Sequence, residues 1–555
     1  MKRQKPLWWV LRRIRKRLPG LVLLMVINAI NALLNVGFAL GMKQVIDSAV
    51  AKDAQGFWRA CLLQGILVAS LVITACLNRH LREKLTSQME RDWKKYLFHG
   101  TLHSAYADVS RYHTGELLNL FNNDTRTISD SLLTIFPGLV AMLTQLVAGI
   151  VALAVMEPVL TGVILAGGVV LVLTTGLVRK PLKKLQKRIS QENGRISGFL
   201  QEILEKLLMV QAMDVSGEVE KRSGVMLDRR YQLECKRKNI SLLSGTCINI
   251  LALGAGFVVL VWGAKGILDG IVGYGTLTAL MQLVNQVRTP LVNLSGVLPK
   301  YVALVASAER LMELESIFGE PAEPRDTPEN LNAAAQTICV EHMHFAYDRD
   351  PVFRDATFTV PMGGFGVIVG HSGIGKSTLL KLMLGIFQPQ EGSLCLQTQS
   401  GPIPLDRTTR GLFAYVPQGN LLLSGTLREN LTITRPNATE EEIRQAVYVS
   451  CMDDYLDTLP QGLDTVLGES AQGLSEGQPQ RLSIARAVLS QAPVMLLDEA
   501  TSALDPATER TVLNRLREAG RTCIAVTHRP AAIELSDWIL EMTDGTCQFR
   551  ENDRS

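Results

Sequence analysis

The sequence predicts a multi-domain chain, an all-α six-helix transmembrane domain followed by an α/β P-loop NTPase. Three observations predict this. Long apolar runs crowd the first 310 of 555 residues and are absent afterwards. Lys and Arg gather in only some of the connections between those runs. A glycine loop of the phosphate-binding pattern stands between a strand pattern and a helix pattern in the second part. Composition agrees with two chemistries averaged together. Mean hydropathy is +0.16, too high for a purely soluble enzyme. Yet 57 Lys and Arg and 53 Asp and Glu need water. A net charge of +4 gives no argument for a nucleic-acid partner. Nine scattered cysteines, odd in number and without a Cys-x-x-Cys pair, read as reduced thiols. No cleavable signal peptide is expected.

Residues 1–19 are the first element. Trp8 and Trp9 beside the basic run Arg12–Arg17 suit the headgroup layer, which predicts an interfacial elbow helix. The transmembrane domain spans 20–319, with apolar spans near 20–42, 60–77, 136–156, 159–178, 245–263 and 276–298. Each approaches the roughly 17–25 residues a helix needs to cross a bilayer. Residues 1–19 and 78–135 carry eight Lys and Arg each, and 179–244 carry fifteen. The positive-inside bias therefore predicts both termini and the two long connections in the cytoplasm. Those connections are charged and poor in proline, so they read as helices leaving the membrane by roughly 30–40 Å and returning. Their turns are placed at His113–Leu120 and Leu208–Ser216. A Pro-, Glu- and Ala-rich linker covers 320–337, and the nucleotide-binding domain 338–555.

Gly366–Val369 is a short buried-strand pattern, and Gly370–Ser377 reads G-H-S-G-I-G-K-S. An apolar helical run, Thr378–Ile386, comes next. Gly370, Gly373 and Gly375 let backbone N–H groups, with that of Ser372, converge on phosphate oxygens. Lys376 is placed to reach the outer phosphates, Ser377 to hold Mg²⁺, and Thr378 to open the helix. Val494–Glu499 reads V-M-L-L-D-E, a buried strand ending in Asp498, a second Mg²⁺ candidate, and Glu499, which can polarise an attacking water. Leu474–Gln478 reads L-S-E-G-Q before Pro479, whose fixed φ suits the first turn of a helix. Ser475, Glu476, Gly477 and Gln478 thus stand where a helix N-terminus can face an anion.

With these motifs the whole chain resembles an ATP-binding cassette (ABC) half-transporter of the type IV exporter class, similar to lipid A flippases and multidrug half-exporters. The resemblance implies further roles. Tyr347 would stack on adenine. Gln418 in Y-V-P-Q would be the Q-loop glutamine that touches Mg²⁺. Thr465–Glu469 would be the X-loop and Ser502–Asp505 the D-loop, with Asp505 as its acid. His528 would be the switch histidine, catalytic together with Glu499 and Gln418. ATP and Mg²⁺ are the implied cofactors. Two cassettes would close head to tail, each ATP lying between Lys376 of one and Ser475 and Gly477 of the other. A homodimer is favoured because every motif is competent, and a second half-transporter is the other partner. Glu476 departs from the usual L-S-G-G-Q, and Gly366 stands where many relatives carry an apolar residue.

Asn28, Asn31 and Asn35 share a face of the first span. Gln282, Asn285, Gln286, Arg288, Thr289 and Asn293 run along the sixth. Polar groups at membrane depth face the bundle or a wet cavity, so these are the candidate substrate wall, with Arg288 as an anion contact. Amide bonding between helices is the plainer reading of the same residues. A peptide, a lipid or an amphipathic small molecule fits such a wall. A regulatory subunit that depends on a different partner for turnover is the alternative function. No protease domain precedes the first span, so leader cleavage is not expected. A bacterial inner or plasma membrane is the expected location.

Overall fold

A computed structural model describes residues 5–319, 335–347, 350–399, 401–419, 422–468 and 474–552. The chain divides into two compact units. One comprises Met1–His99 with His113–Ser316, the other Gly100–Tyr112 with Ile317–Ser555.

The first unit is all-α. Helix α1 (Pro6–Arg13) and a 3₁₀ turn (Arg15–Arg17) lead into α2 (Leu18–Val50). Then come α3 (Ala54–His103), the short α4 (Tyr106–Val109) and α5 (Thr114–Asn119), a π-helical turn (Leu120–Asp124) and α6 (Thr125–Met156). α7 (Pro158–Glu205), a short α8 (Leu207–Ala212), α9 (Ser216–Leu268) and α10 (Tyr274–Glu315) complete the helical part. The six long helices contain the six apolar spans. Among the described residues, Arg15–Val50, Ala54–His103 and Thr114–Met156 are long and apolar enough to cross a membrane. Pro158–Gly167 and Leu253–Leu268 add shorter apolar stretches. At 50, 48 and 53 residues, α3, α7 and α9 run roughly 75 Å each, far more than a bilayer core needs.

Three details differ from expectation. The elbow tryptophans do not act as a pair: Trp8 is 72% exposed, whereas Trp9 is 6% exposed and packs on Trp93 with ring centroids 5.3 Å apart. Trp9 and Arg13 also bond to Glu315, as does Tyr96, so the elbow is stapled to the end of α10. The first turn lies earlier than His113–Leu120. α4 packs with the second unit, while Thr114 onward already belongs to the returning helix. The second turn, α8, falls where the sequence placed it. The linker residues 320–334 lie outside the described residues, and 335–337 already belong to the first strand.

A buried carboxylate fixes the π-helical turn. Asp124 is 3% exposed and accepts from Ser307 Oγ at 2.7 Å and Arg310 Nε at 2.9 Å. Without Arg310 that charge would stand unpaired out of water.

The second unit carries two main sheets. β1 (Ala335–Tyr347), β2 (Asp350–Pro361), β4 (Glu391–Thr398) and β5 (Gly401–Pro404) form an antiparallel sheet in the order β2-β1-β4-β5. β3 (Phe365–Val369), β6 (Phe413–Val416), β9 (Val494–Asp498), β10 (Thr522–Val526), β11 (Trp538–Thr543) and β12 (Thr546–Glu551) form the other, in the order β12-β11-β3-β10-β9-β6. All its pairings are parallel except β11 with β12. β3 is nearly and β9 and β10 are fully buried along their length, as expected for parallel strands covered on both faces. A two-stranded ribbon pairs β7 (Gly425–Thr426) with β8 (Val466–Leu467). Helices α11 (Lys376–Met383), α12 (Leu427–Thr432), α13 (Glu440–Val449), α14 (Asp453–Thr458), α15 (Gly477–Leu489), α16 (Pro506–Glu518) and α17 (Pro530–Leu535) complete the unit.

Gly366 has a packing explanation. A Cβ at this position would lie 1.9 Å from the Trp538 indole, whose side chain is 2% exposed. Trp538 on the neighbouring strand takes the volume that an apolar residue at 366 would fill. Over-packing of this kind costs about 1–3 kcal/mol. Gly366→Val is therefore expected to lower the thermal midpoint of the full chain, and Trp538→Val added to it to recover part of the loss. Unfolding followed by intrinsic fluorescence checks both.

Candidate functional site

The site arises from strand register. β3, β10, β9 and β6 are adjacent and parallel, with Ile368 opposite Val526, Val526 opposite Asp498, and Leu497 opposite Val416. Four strands therefore finish side by side, and their C-terminal ends deliver Gly370–Ser377, His528, Asp498–Glu499 and Gln418 to one edge. Ligand sites of open α/β sheets form outside such carboxyl ends.

The glycine loop closes onto α11. Gly375 caps this helix at φ 109°, a conformation L side chains rarely adopt, and a Cβ there would meet Val352 Cγ1 at 2.3 Å. Lys376 Nζ donates to the carbonyl oxygens of Gly370 at 2.7 Å and His371 at 2.9 Å. Burial pushes its pKa below the usual lysine value, against the nearby charges of Glu499 and Asp498. An ammonium held at a loop of N–H groups is suited to phosphate.

Asp498 is 2% exposed. Its Oδ1 accepts from Ser377 Oγ at 2.9 Å and its Oδ2 from Tyr415 OH at 3.1 Å. Among the described residues its hydrogen bonds come from hydroxyls and it forms no ion pair, so its charge remains to be neutralised. A carboxylate and a hydroxyl oxygen converging on one point fit a hard divalent cation such as Mg²⁺. Glu499 comes next at φ 50°, strained for a side-chain-bearing residue, and its N–H donates to Val526 O at 3.0 Å. Gln418 Nε2 donates to Glu499 Oε2 at 2.6 Å, joining two of the three candidate catalytic residues. His528, the third, is exposed at the same edge.

Tyr347 is 41% exposed, with one ring edge against Phe345 at 5.1 Å and another against Phe387 at 5.4 Å. Its hydroxyl lies 3.2 Å from Thr378 Oγ1. The ring is thus held beside the loop while remaining partly exposed.

The remaining candidates form a second group. Ser475 N donates to Gln478 Oε1 at 2.8 Å, and Ser475 and Glu476 are exposed at the start of α15. A Cβ on Gly477 would lie 3.1 Å from Ala503 O, so the signature turn packs directly on the Ser502–Asp505 loop. Asp505 caps α16, accepting from Ala507 N at 3.1 Å and Thr508 N at 3.0 Å. Hydrogen bonds from Thr508 and then Ala507 hold its carboxyl below the usual range. Thr465–Leu467 pair or bond with 425–427, whereas Glu469 lies outside the described residues.

Sequence reasoning missed four residues. Tyr415 holds Asp498. Phe387 supports Tyr347. Gln480 clamps the 502–505 loop through Ser502 Oγ at 2.9 Å and Ala503 N at 3.0 Å. Arg529 clamps the same loop from the other side, donating to Leu504 O at 2.8 Å, to Ser502 O, and to Glu509 Oε2 at 3.0 Å. Tyr415 and Arg529 sit inside Y-V-P-Q and V-T-H-R, but nothing local marks their partners.

In the helical unit the candidate wall splits. Asn35 Nδ2 donates to Asn31 Oδ1 at 3.1 Å, and Gln286 Nε2 donates to Asn35 O at 2.7 Å, an amide knot between α2 and α10. Asn28 bonds back to Leu24 O, and Asn285 to Met281 O. Arg288 reaches Asn249 Oδ1 on α9 at 3.3 Å. Gln282 is half-buried. Of that wall, Asn31 lines a cavity of about 730 Å³, together with Arg79, Arg82, Glu83, Arg126 and Asp130, among others, from α2, α3 and α6.

A long-helix membrane part joined to a P-loop domain with a signature helix defines an ATP-driven transporter. The family model for the ABC transporter transmembrane region matches residues 21–291, and the ABC transporter model matches 353–502. The chain belongs to the ABC transporters, with both parts fused in one polypeptide. It is 27% identical to a probable ABC transporter ATP-binding/permease protein of Haemophilus influenzae, over 94% of this chain and 91% of that one. It is 29% identical to the mitochondrial potassium channel ATP-binding subunit of Xenopus tropicalis, over 87% and 70%. The structure of a bacterial Atm1-family ABC exporter with ATP bound shares its fold, with a TM-score of 0.77 at 24% identity over 97% and 95% of the chains. The chain is an integral membrane protein and an ATP-hydrolysing ABC transporter of exporter architecture.

Arg529 gives a test of the loop clamp. Glu509 is 2% exposed, and Arg529→Met leaves its carboxylate without a cationic partner, which typically costs about 3–5 kcal/mol. A fall in thermal midpoint is expected, with Glu509→Gln restoring part of it in the double variant. Differential scanning fluorimetry reads both.

Proposed function

We propose that the chain works as a homodimeric exporter, or inner-to-outer leaflet flippase, of a bacterial inner membrane, with cassette and both termini cytoplasmic. The observation that carries this is the convergence of Lys376, Asp498, Glu499, Gln418 and His528 at one sheet edge, with Glu499 already bonded to Gln418 at 2.6 Å. A chain that only bound nucleotide would not need that carboxylate.

Each residue then has a role. Tyr347 stacks on adenine. The N–H groups of Gly370–Ser377 and the Lys376 ammonium take the phosphates, with the N-terminus of α11 adding positive potential. Ser377, Asp498 and Gln418 would hold Mg²⁺, which when bound neutralises charge on the phosphates. Glu499 accepts a proton from the attacking water, and His528 faces the terminal phosphate. One chain has one cassette, and the exposed Ser475–Gln478 turn is suited to complete a partner's site.

The cargo carries a polar, charged group. The support is the eight charged or amide residues around the 730 Å³ cavity, which offers both guanidinium and carboxylate partners. A lipid with a polar headgroup or a peptide meets that chemistry better than a simple hydrophobic drug. Arg288 and Asn31 are assigned to its path.

The test is ATP turnover of the chain purified alone and reconstituted in lipid. Wild type turns over, and Glu499→Gln is slower by about 10²–10⁴-fold while still binding ATP. No turnover by a folded, ATP-binding wild type overturns the homodimer and points to a second chain. Substrate-stimulated turnover that Arg288→Ala and Asn31→Ala leave intact removes those residues from the path.

A further inference from the structure

The second unit contains a segment of the helical part, Gly100–Tyr112, and its contacts reach the site by an unassigned route. The ring of Tyr106 on α4 packs against Phe387 with centroids 6.1 Å apart, edge to face. Phe387 in turn touches Tyr347 at 5.4 Å. Both Phe387 and Tyr415 are half-buried against the core that contains Val494 and Leu496 of β9. Tyr415 OH donates to Asp498 Oδ2 at 3.1 Å, and Asp498 Oδ1 accepts from Ser377. Tyr106 is also close enough to add to the electrostatic environment of Tyr415, whose phenol burial and Asp498 keep protonated.

The physical consequence lies in how a carboxylate is aimed. Asp498 has two oxygens and two hydroxyl donors. With Oδ2 tied to a phenol, rotation about the Cβ–Cγ bond is blocked and Oδ1 stays beside Ser377 Oγ. Partners of this kind set the orientation of a ligating carboxylate and the affinity of the metal it holds. The phenol is half-buried against the same core as Phe387, the ring on which Tyr106 of α4 packs.

We propose that Tyr415 is a positioning residue for Asp498 and that the α4 turn, through Tyr106, controls how Tyr415 holds it. This rests on the reading of Ser377 and Asp498 as the Mg²⁺ ligands. The helical turn would thereby adjust metal affinity at the site before any closure of two cassettes. A shift of α4 that withdraws the Tyr106 ring loosens the seat of Tyr415, frees Oδ2, and weakens the cation site without touching the phosphate loop.

The experiment uses the full chain in lipid nanodiscs, with Mn²⁺ as the paramagnetic probe and a non-hydrolysable ATP analogue. Electron paramagnetic resonance reads bound Mn²⁺, and analogue binding in EDTA reads the nucleotide site without metal. Tyr415→Phe keeps the ring and deletes the donor, and is expected to raise the Mn²⁺ concentration for half-saturation about tenfold. Analogue binding in EDTA stays unchanged. Tyr106→Ala is expected to raise it by a factor of about two to five, with Tyr106→Phe restoring the wild-type value. The double variant Tyr106→Ala, Tyr415→Phe is no worse than Tyr415→Phe alone. Unchanged Mn²⁺ affinity in Tyr415→Phe overturns the positioning role, as does an equal loss of analogue binding in EDTA together with a lower thermal midpoint. Additive effects in the double variant overturn the link to α4. A wild type that takes up analogue but no Mn²⁺ refutes instead the assignment of Ser377 and Asp498 as ligands.

Discussion

The constraint on which the cassette depends is the parallel register of β3, β10, β9 and β6. Hydrogen bonds along buried strands have no alternative partner, since water is excluded, so a slipped register would leave unpaired backbone groups. Because Ile368, Val526, Asp498 and Val416 are locked near one level, the groups just beyond them need no further device to meet. A one-residue slip would also turn Asp498 from the site into the core. The chemistry is thus a by-product of strand pairing. The loops add only fine placement, as in the bond from Gln418 to Glu499.

Three buried carboxylates show how differently the molecule treats the same charge. Asp124 is matched by the guanidinium of Arg310, and Glu509 by that of Arg529. Both pairs join segments distant in sequence, by 186 and 20 residues, and are structural struts. Asp498 receives only the hydroxyls of Ser377 and Tyr415 among its described partners. Two neutral donors can orient a carboxylate without cancelling its charge. A guanidinium in their place would satisfy the group and remove its attraction for a cation. The choice of donor is what separates these struts from a carboxylate still able to attract a cation.

Legibility in the sequence tracked the distance over which each constraint acts. The phosphate loop, the Asp498–Glu499 pair and the signature turn were readable because each needs fixed residue types within a few positions, between a strand and a helix. The helical part was readable because apolar length and charge asymmetry answer to the bilayer rather than to any partner. Tyr415, Gln480 and Arg529 were not readable, since their partners lie 83, 22 and 27 residues away or bond through backbone atoms that have no sequence signature. Trp9 illustrates the same limit: beside Arg12 and Arg13 it reads as an interfacial anchor, and only Trp93 and Glu315 show that it faces inward. The first turn was misplaced because His113–Leu120 has the composition of a helix start, which it is. The segment that joins the cassette, Tyr106–Val109, is only four residues long.

Glu476 puts a carboxylate in the signature turn where the usual L-S-G-G-Q has glycine. It is the residue before α15, exposed and without a bond to neighbouring groups among the described contacts. A carboxylate at a helix N-terminus stabilises that helix by about 0.3–1 kcal/mol. The same positive end is what an approaching phosphate would use. In the proposed dimer, Glu476 would therefore favour the separated cassette and oppose its closure on a partner's nucleotide by a similar amount, unless the side chain turned outward. The turn permits this, because Gly477 and Pro479, not Glu476, make the tight packing against the 502–505 loop and the core. A penalty of this size lowers occupancy of the closed state by less than about tenfold, which changes the rate of a cycle without removing a step from it.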